Sequence, residues 1–187
     1  MLPRHKYLLT YRYAEIIHDL TVDFCRIHLE RYKDRRTIEQ MVSAARSGKQ
    51  NIVEGVGQSK ISKKGEIKLL NVANASLEEL LSDYEDFLRQ RKLGIWPKSD
   101  PRVGRLRTIS FRLSHLSNLS DLGEFREKAV LPVHPEEAAN MMLTLCHQAT
   151  YLLSKQIAAL DKKFIEEGGY TENLFKRRMT YRGNKLK

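Results

Sequence analysis

Cysteine is nearly absent from this chain. With only Cys25 and Cys146 among 187 residues, a secreted-type disulfide framework is excluded. Both cysteines fall inside amphipathic helix patterns, where a reduced thiol packs as a small hydrophobe. Long apolar runs are missing as well: no stretch approaches the roughly 20 residues that cross a bilayer, and Met1 to Tyr13 lacks the apolar core of a signal peptide. A soluble protein of the reducing cytoplasm, with no membrane partner, is the expectation. The five prolines lie near the N-terminus and between about Ile95 and Pro135, and together with ten glycines they leave long windows without a helix breaker. The chain therefore predicts an all-α class, and its length fits one domain able to bury a core without metal or disulfide support.

Apolar spacing fills those windows with helices. Tyr13, Ile17, Leu20, Phe24 and Ile27 alternate four and three apart, the seam of near-antiparallel bundle packing, in a first helix from about Tyr7 to Tyr32. Ile38, Met41, Ala45, Gly48, Ile52 and Gly55 mark a second, starting at Asp34 or Thr37. Gly55 and Gly57 are expected to end it in the left-handed conformation, and Ser62 to cap a third helix that runs to about Lys92, with Glu66 in its first turns. The pattern breaks at Gly94, Trp96 and Pro97, and a shorter arginine-rich helix spans about 100–118. The last helix opens at Pro135 with Glu136 and Glu137 and stops at Gly168 and Gly169. The expected architecture is an antiparallel four-helix bundle over 1–169, with an extra basic helix between bundle helices three and four and a basic tail over 170–187.

Positive charge is in excess. A formal net charge of +10 attracts polyanions and gains entropy from counterion release. Arg35 and Arg36 stand at the first turn, Arg46 and Lys49 along the second helix, Lys60, Lys63 and Lys64 at the next turn, and Arg102 and Arg105 on the inserted helix. The tail interleaves Arg177, Arg178, Arg182 and Lys185 with Tyr181. Cations meet phosphates, and an aromatic ring stacks on an unpaired base. Against these stands an acidic strip on the third helix, Glu78, Glu79, Asp83, Glu85 and Asp86, and opposite-signed faces suit head-to-tail association.

Enzyme constellations fail their tests. A carboxylate-bridged metal site needs two Glu-x-x-His pairs, and Glu15 with His18 is the one present. Cys146 and His147 are neighbours on a helix, so they diverge by about 100° and cannot form a nucleophile and base pair. Gly55-Val56-Gly57 follows a helix and lacks the strand and third glycine of a dinucleotide loop. No catalytic residue, metal or cofactor is predicted. Asn51 and Glu54, one helical turn apart, are expected to form a hydrogen-bonded clasp near Ser76 and Glu79 at the hairpin turn.

Asn51, Ile52, Glu54, Gly55 and Gly57, followed by Asn74 to Leu80, resemble the four-helix-bundle family named after proteins encoded in intervening sequences of 23S ribosomal RNA genes, in its branch with a four helix bundle suffix domain. That family is similar to the accessory protein that partners the reverse transcriptase of diversity-generating retroelements, a pentameric basic bundle that binds RNA. The resemblance implies a bundle in a ring-like homo-oligomer, a pentamer, with Asn51, Glu54, Gly55 and Gly57 in a structural turn, and a reverse transcriptase as partner. In compact members the connection between helices three and four is brief, and this chain departs by its inserted helix. The leading expectation is a non-enzymatic, oligomeric accessory or scaffold protein for RNA or single-stranded nucleic acid. The alternative is an oligomeric protein-interaction module without physiological nucleic acid.

Overall fold

The computed structural model describes residues 3–59, 61–114 and 130–185. Among the described residues the chain is helical, with no strand. A 3-10 turn at Arg4–Tyr7 leads into α1 (Leu9–His28), α2 (Arg35–Gln58), α3 (Lys63–Gln90), α4 (Pro101–Ser114), α5 (Pro135–Glu167) and α6 (Tyr170–Lys185). Packing runs α2 on α3, α3 on α5, α1 on α2 and α1 on α5, while α4 lies against α5 and α1. The core is built where the four long apolar stripes meet: Ile17, Phe24, Met41, Ile52, Leu77, Tyr84, Met142 and Leu153 are all fully buried. Phe24 stands edge-on to Tyr84 and Phe87, with ring centroids 4.9 and 4.8 Å away, a favoured aromatic geometry. Cys25 and Cys146 are buried thiols, and burial pushes the Cys25 group up to about 12.

Side-chain hydrogen bonds tie residues at or near the helix ends to one another. Arg4 donates to Ser59 beyond the end of α2, Thr10 at the start of α1 to Gln156 late in α5, and Arg91 beyond α3 to Asp34 before α2.

Local chemistry departs from the sequence reading at both ends of the hairpin. Gly55 and Gly57 do not take the left-handed conformation: α2 continues to Gln58, and Gly168 (φ 72°) is the glycine of positive φ among the described residues. Ser59 closes α2 by donating from Oγ to the Val56 carbonyl at 2.7 Å, catching a carbonyl that the helix end leaves without a partner. Gly55 serves packing instead, since a Cβ there would meet the Glu66 carbonyl at 3.4 Å. Gly48 is tighter still, with the Leu77 Cδ2 only 2.8 Å from where its Cβ would stand. Ser62 caps α3 as expected, accepting from the Gly65 amide at 3.0 Å. At the far end it is Lys92 (φ 56°), ahead of Gly94, that enters the left-handed region after α3.

The segment between α3 and α5 is pinned to α5 by side chains. Asn140 accepts from the Trp96 amide at 2.8 Å and donates to the Gly94 carbonyl at 2.8 Å, and the Trp96 indole donates to Glu136 at 2.7 Å. Of the helix expected over 100–118, residues 115–118 lie outside the described part, as does Lys60. The region after Gly169, read from sequence as a tail, is helical. It continues from α5, whose last fully buried residue is Leu153 although the helix runs to Glu167.

Candidate nucleic-acid interface

α2 is 24 residues long, so its two ends stand about 36 Å apart. The predicted cations divide accordingly. Arg35 and Arg36 sit at one end, with Arg91 nearby through Asp34; Lys63 and Lys64 sit at the other. At about 100° per residue, Arg35, Arg46 and Lys49 fall within roughly 60° of one another on α2, and Lys49 stands about 14 Å short of the helix end at Gln58. Arg36 is turned away from these three.

α6 brings a second cluster to the α2–α3 turn. Ser59, Ile61 and Lys63 face Tyr170, Lys176 and Arg177 across a groove of about 360 Å³. Sequence separation hid this juxtaposition, because nothing in the pattern said that the basic tail folds beside that turn. Helical geometry puts Arg178 and Arg182 on the opposite flank of α6, beside the exposed Phe175 and Met179. The tail cations therefore do not converge on one site. Tyr181 is 64% exposed, and the Lys185 side chain lies outside the described part.

Ion pairing separates committed cations from available ones. Lys63 donates to Glu167 at 2.7 Å, Arg35 to Glu39 at 2.9 Å, and Arg102 to Asp100 at 2.8 Å while lying over the Trp96 ring at 3.8 Å. The hydrogen bond from Lys63 holds Glu167 below the usual carboxylate range. Lys49 approaches His18 Nδ1 at 3.1 Å, and because an ammonium only donates, that nitrogen must be the acceptor. Burial, then Lys49, lowers the His18 value, which agrees with a neutral ring. Arg36, Arg46, Lys64, Arg105, Arg177, Arg178 and Arg182 make no ion pair among the described residues and are exposed. Such cations can meet phosphates without first breaking a bond within the chain. A further basic surface at the α1–α2 turn places Arg31 and Arg35 around Tyr32, which is 93% exposed.

The polar clasp between α2 and α3 runs through a residue that the sequence reading passed over. Asn51 donates to the Ser47 carbonyl (2.9 Å) and hydroxyl (3.1 Å), Ser47 Oγ lies 3.0 Å from Ser76 Oγ, and Ser76 donates to the Val72 carbonyl. Glu54 stands outside this network and is exposed, and Glu79 is bound instead by Gln40 at 3.1 Å. Glu15, half of the one Glu-x-x-His pair, accepts from Lys6 and Tyr11, and no cluster of three metal-ligating side chains occurs among the described residues. No described helix is long and apolar enough to cross a membrane. Comparison of the chain with protein-family models, with curated proteins and with solved structures finds no match in any of the three.

Proposed function

We propose that α1, α2, α3 and α5 form an antiparallel four-helix bundle that serves in the cytoplasm as a non-enzymatic, oligomeric accessory protein. It binds RNA or single-stranded nucleic acid and scaffolds another machine, with a reverse transcriptase as the partner to test first. The observation that carries this reading is the groove where Lys176 and Arg177 of α6 meet the start of α3. Two separate cationic segments line one groove, and Arg46 and Lys49 add further positive charge along α2. A flexible strand can follow such a path through phosphate contacts alone, with affinity that falls steeply with salt and little sequence preference.

The exposed Phe175 and Met179 on α6 favour the alternative, an oligomeric protein-interaction module. A chain ending at Gly169 separates the two readings. Under the first, the shortened chain keeps its oligomeric state in sedimentation and loses most of its affinity for a single-stranded RNA. Unchanged RNA affinity, or affinity no higher than that of an unrelated protein of equal charge, sinks the nucleic-acid reading.

A further inference from the structure

A second cleft lies away from the groove, on the outer face of α5. Leu143, Thr144, Gln148 and Tyr151 form its floor, spaced to lie on one side of the helix. Its walls come from Trp96 and Lys98 before α4 and from Val103 and Arg107 on α4, enclosing about 360 Å³. That is the lower end of the size range of small-molecule sites.

The lining is chemically one-sided. Among the described residues it carries Lys98 and Arg107 and no carboxylate. Lys98, Arg107 and Gln148 make no ion pair or hydrogen bond among the described residues, whereas Asn140 is committed to the Gly94 and Trp96 backbone and Thr144 to the Asn140 carbonyl. Two aromatic rings complete it. The Trp96 indole is fixed in place by Glu136 at 2.7 Å and by the Arg102 guanidinium over its ring, and Arg102 itself does not line the cleft. Tyr151 is 60% exposed, with the Lys155 ammonium 5.4 Å from its ring centroid and the rest of the ring facing the rim. Burial holds the neighbouring His147 below the ordinary imidazole range, with Lys98 pushing the same way and Glu85 opposing. A neutral ring offers one donor and one acceptor to a base edge.

A held aromatic ring, a second ring at the rim, uncommitted donors and two unpaired cations together fit a flat heterocycle that carries a phosphate. We propose that this cleft takes a single unpaired nucleotide, its base against Trp96 and Tyr151 and its phosphate against Lys98 and Arg107. For the source of that nucleotide, a strand bound elsewhere on the surface, the proposal rests on the nucleic-acid reading above. It gives the segment between α3 and α5 a task distinct from the phosphate-binding groove: the groove holds a backbone, and the cleft holds one base. The walls of the cleft come from that inserted segment and its floor, with Tyr151, from α5, so the site exists only where the two meet.

Trp96 is the sole tryptophan of the chain, so its fluorescence reports directly on the cleft. The full chain is titrated with AMP and with UMP, and with ribose 5-phosphate and inorganic phosphate as probes that lack a base. The expected result is saturable quenching by AMP and UMP, with half-saturation in the millimolar range or below, and none by the probes without a base. Lys98→Ala with Arg107→Ala should weaken it about tenfold, as loss of phosphate pairing requires. Thr144→Phe, which fills the cleft floor, should abolish it. The cationic pair is exposed, so its replacement tests the cleft even where the filled variant folds poorly. Absence of saturable quenching overturns the proposal, as does equal quenching by ribose 5-phosphate, or quenching that both variants leave unchanged. Anisotropy of a labelled single-stranded oligonucleotide keeps the two readings apart. Oligonucleotide binding without quenching sinks the cleft alone, and quenching by AMP without oligonucleotide binding upholds the cleft while sinking the proposed function.

Discussion

The Tyr84 hydroxyl donates to Thr21 Oγ1 at 3.0 Å, joining α3 to α1 through two fully buried side chains. Thr21 Oγ1 in turn donates to the Ile17 carbonyl at 2.7 Å, so the pair forms a short donor chain. Burial pushes the Tyr84 phenol well above its usual value, and the hydroxyl stays protonated throughout the physiological range. Thr21→Val removes the acceptor and strands a buried donor, which should cost about 1 to 3 kcal/mol. Tyr84→Phe removes the donor and leaves Thr21 its carbonyl partner, so it should cost less, about 0.5 to 1.5 kcal/mol. Urea unfolding of the two variants and of the double variant measures the coupling; equal costs for the two single changes would contradict this asymmetry.

Two glycines of α2 should respond in opposite senses to alanine. At Gly48 the new methyl group would overlap Leu77, a fully buried side chain with nowhere to move, so Gly48→Ala should destabilise by about 1 to 3 kcal/mol despite its better helix propensity. At Gly57 a Cβ meets nothing within 4 Å, and Gly57→Ala should stabilise by about 0.5 kcal/mol through lower entropy of the unfolded chain. Paired thermal melts decide both.

Asp83 imposes a pH-dependent cost. Its Oδ2 is buried with no hydrogen-bond partner, and burial, then Glu79 and Asp86, push its value up to about 6 from an ordinary 3.8. The folded protein therefore binds this proton more tightly than the unfolded chain does. The resulting destabilisation is fully present above about pH 6 and fades as pH falls toward about 4. Discounted for solvent screening, Asp83→Asn should raise Tm by roughly 2 to 4 °C at about pH 8 and by nothing measurable at about pH 4. A gain of equal size at both pH values would contradict the assignment.

Charge removal on α6 should be read in the salt dependence. Lys176→Glu with Arg177→Glu should weaken single-stranded RNA binding about tenfold and reduce the slope of log affinity against log salt by about 0.7 for each phosphate that is no longer neutralised. Anisotropy titrations across a salt series measure both quantities. An unchanged slope would place the phosphate-binding cations elsewhere, with Arg46 and Lys49 the next to test.

Periodicity made most of the helical class legible, because apolar stripes such as Met41 to Ile52 and Leu70 to Tyr84 exist only to be buried. It misjudged Ile27, which sits on the expected seam yet is 53% exposed, because α1 ends one residue later and the partner helices do not cover it. The glycines misled for a physical reason: small size and left-handed freedom leave the same letter in the sequence, and at Gly55 it was close packing that counted. The groove between α6 and the α2–α3 turn was illegible, since it depends on a chain direction after Gly169 that no local pattern encodes. The Asn51, Ser47 and Ser76 chain was half legible: Asn51 and Ser76 could be paired by spacing, but the mediating hydroxyl is an ordinary serine on a helix.

Full burial along α5 stops at Leu153, and roughly 20 Å of further helix separates it from Gly168. Substitutions on α6 are consequently insulated from the free energy of the core. Descendants of this chain can change the surface of α6, residue by residue, without first acquiring a stabilising change elsewhere. A lineage built this way should diverge fastest at the C-terminal helix and slowest along the Phe24, Tyr84 and Leu77 stripes.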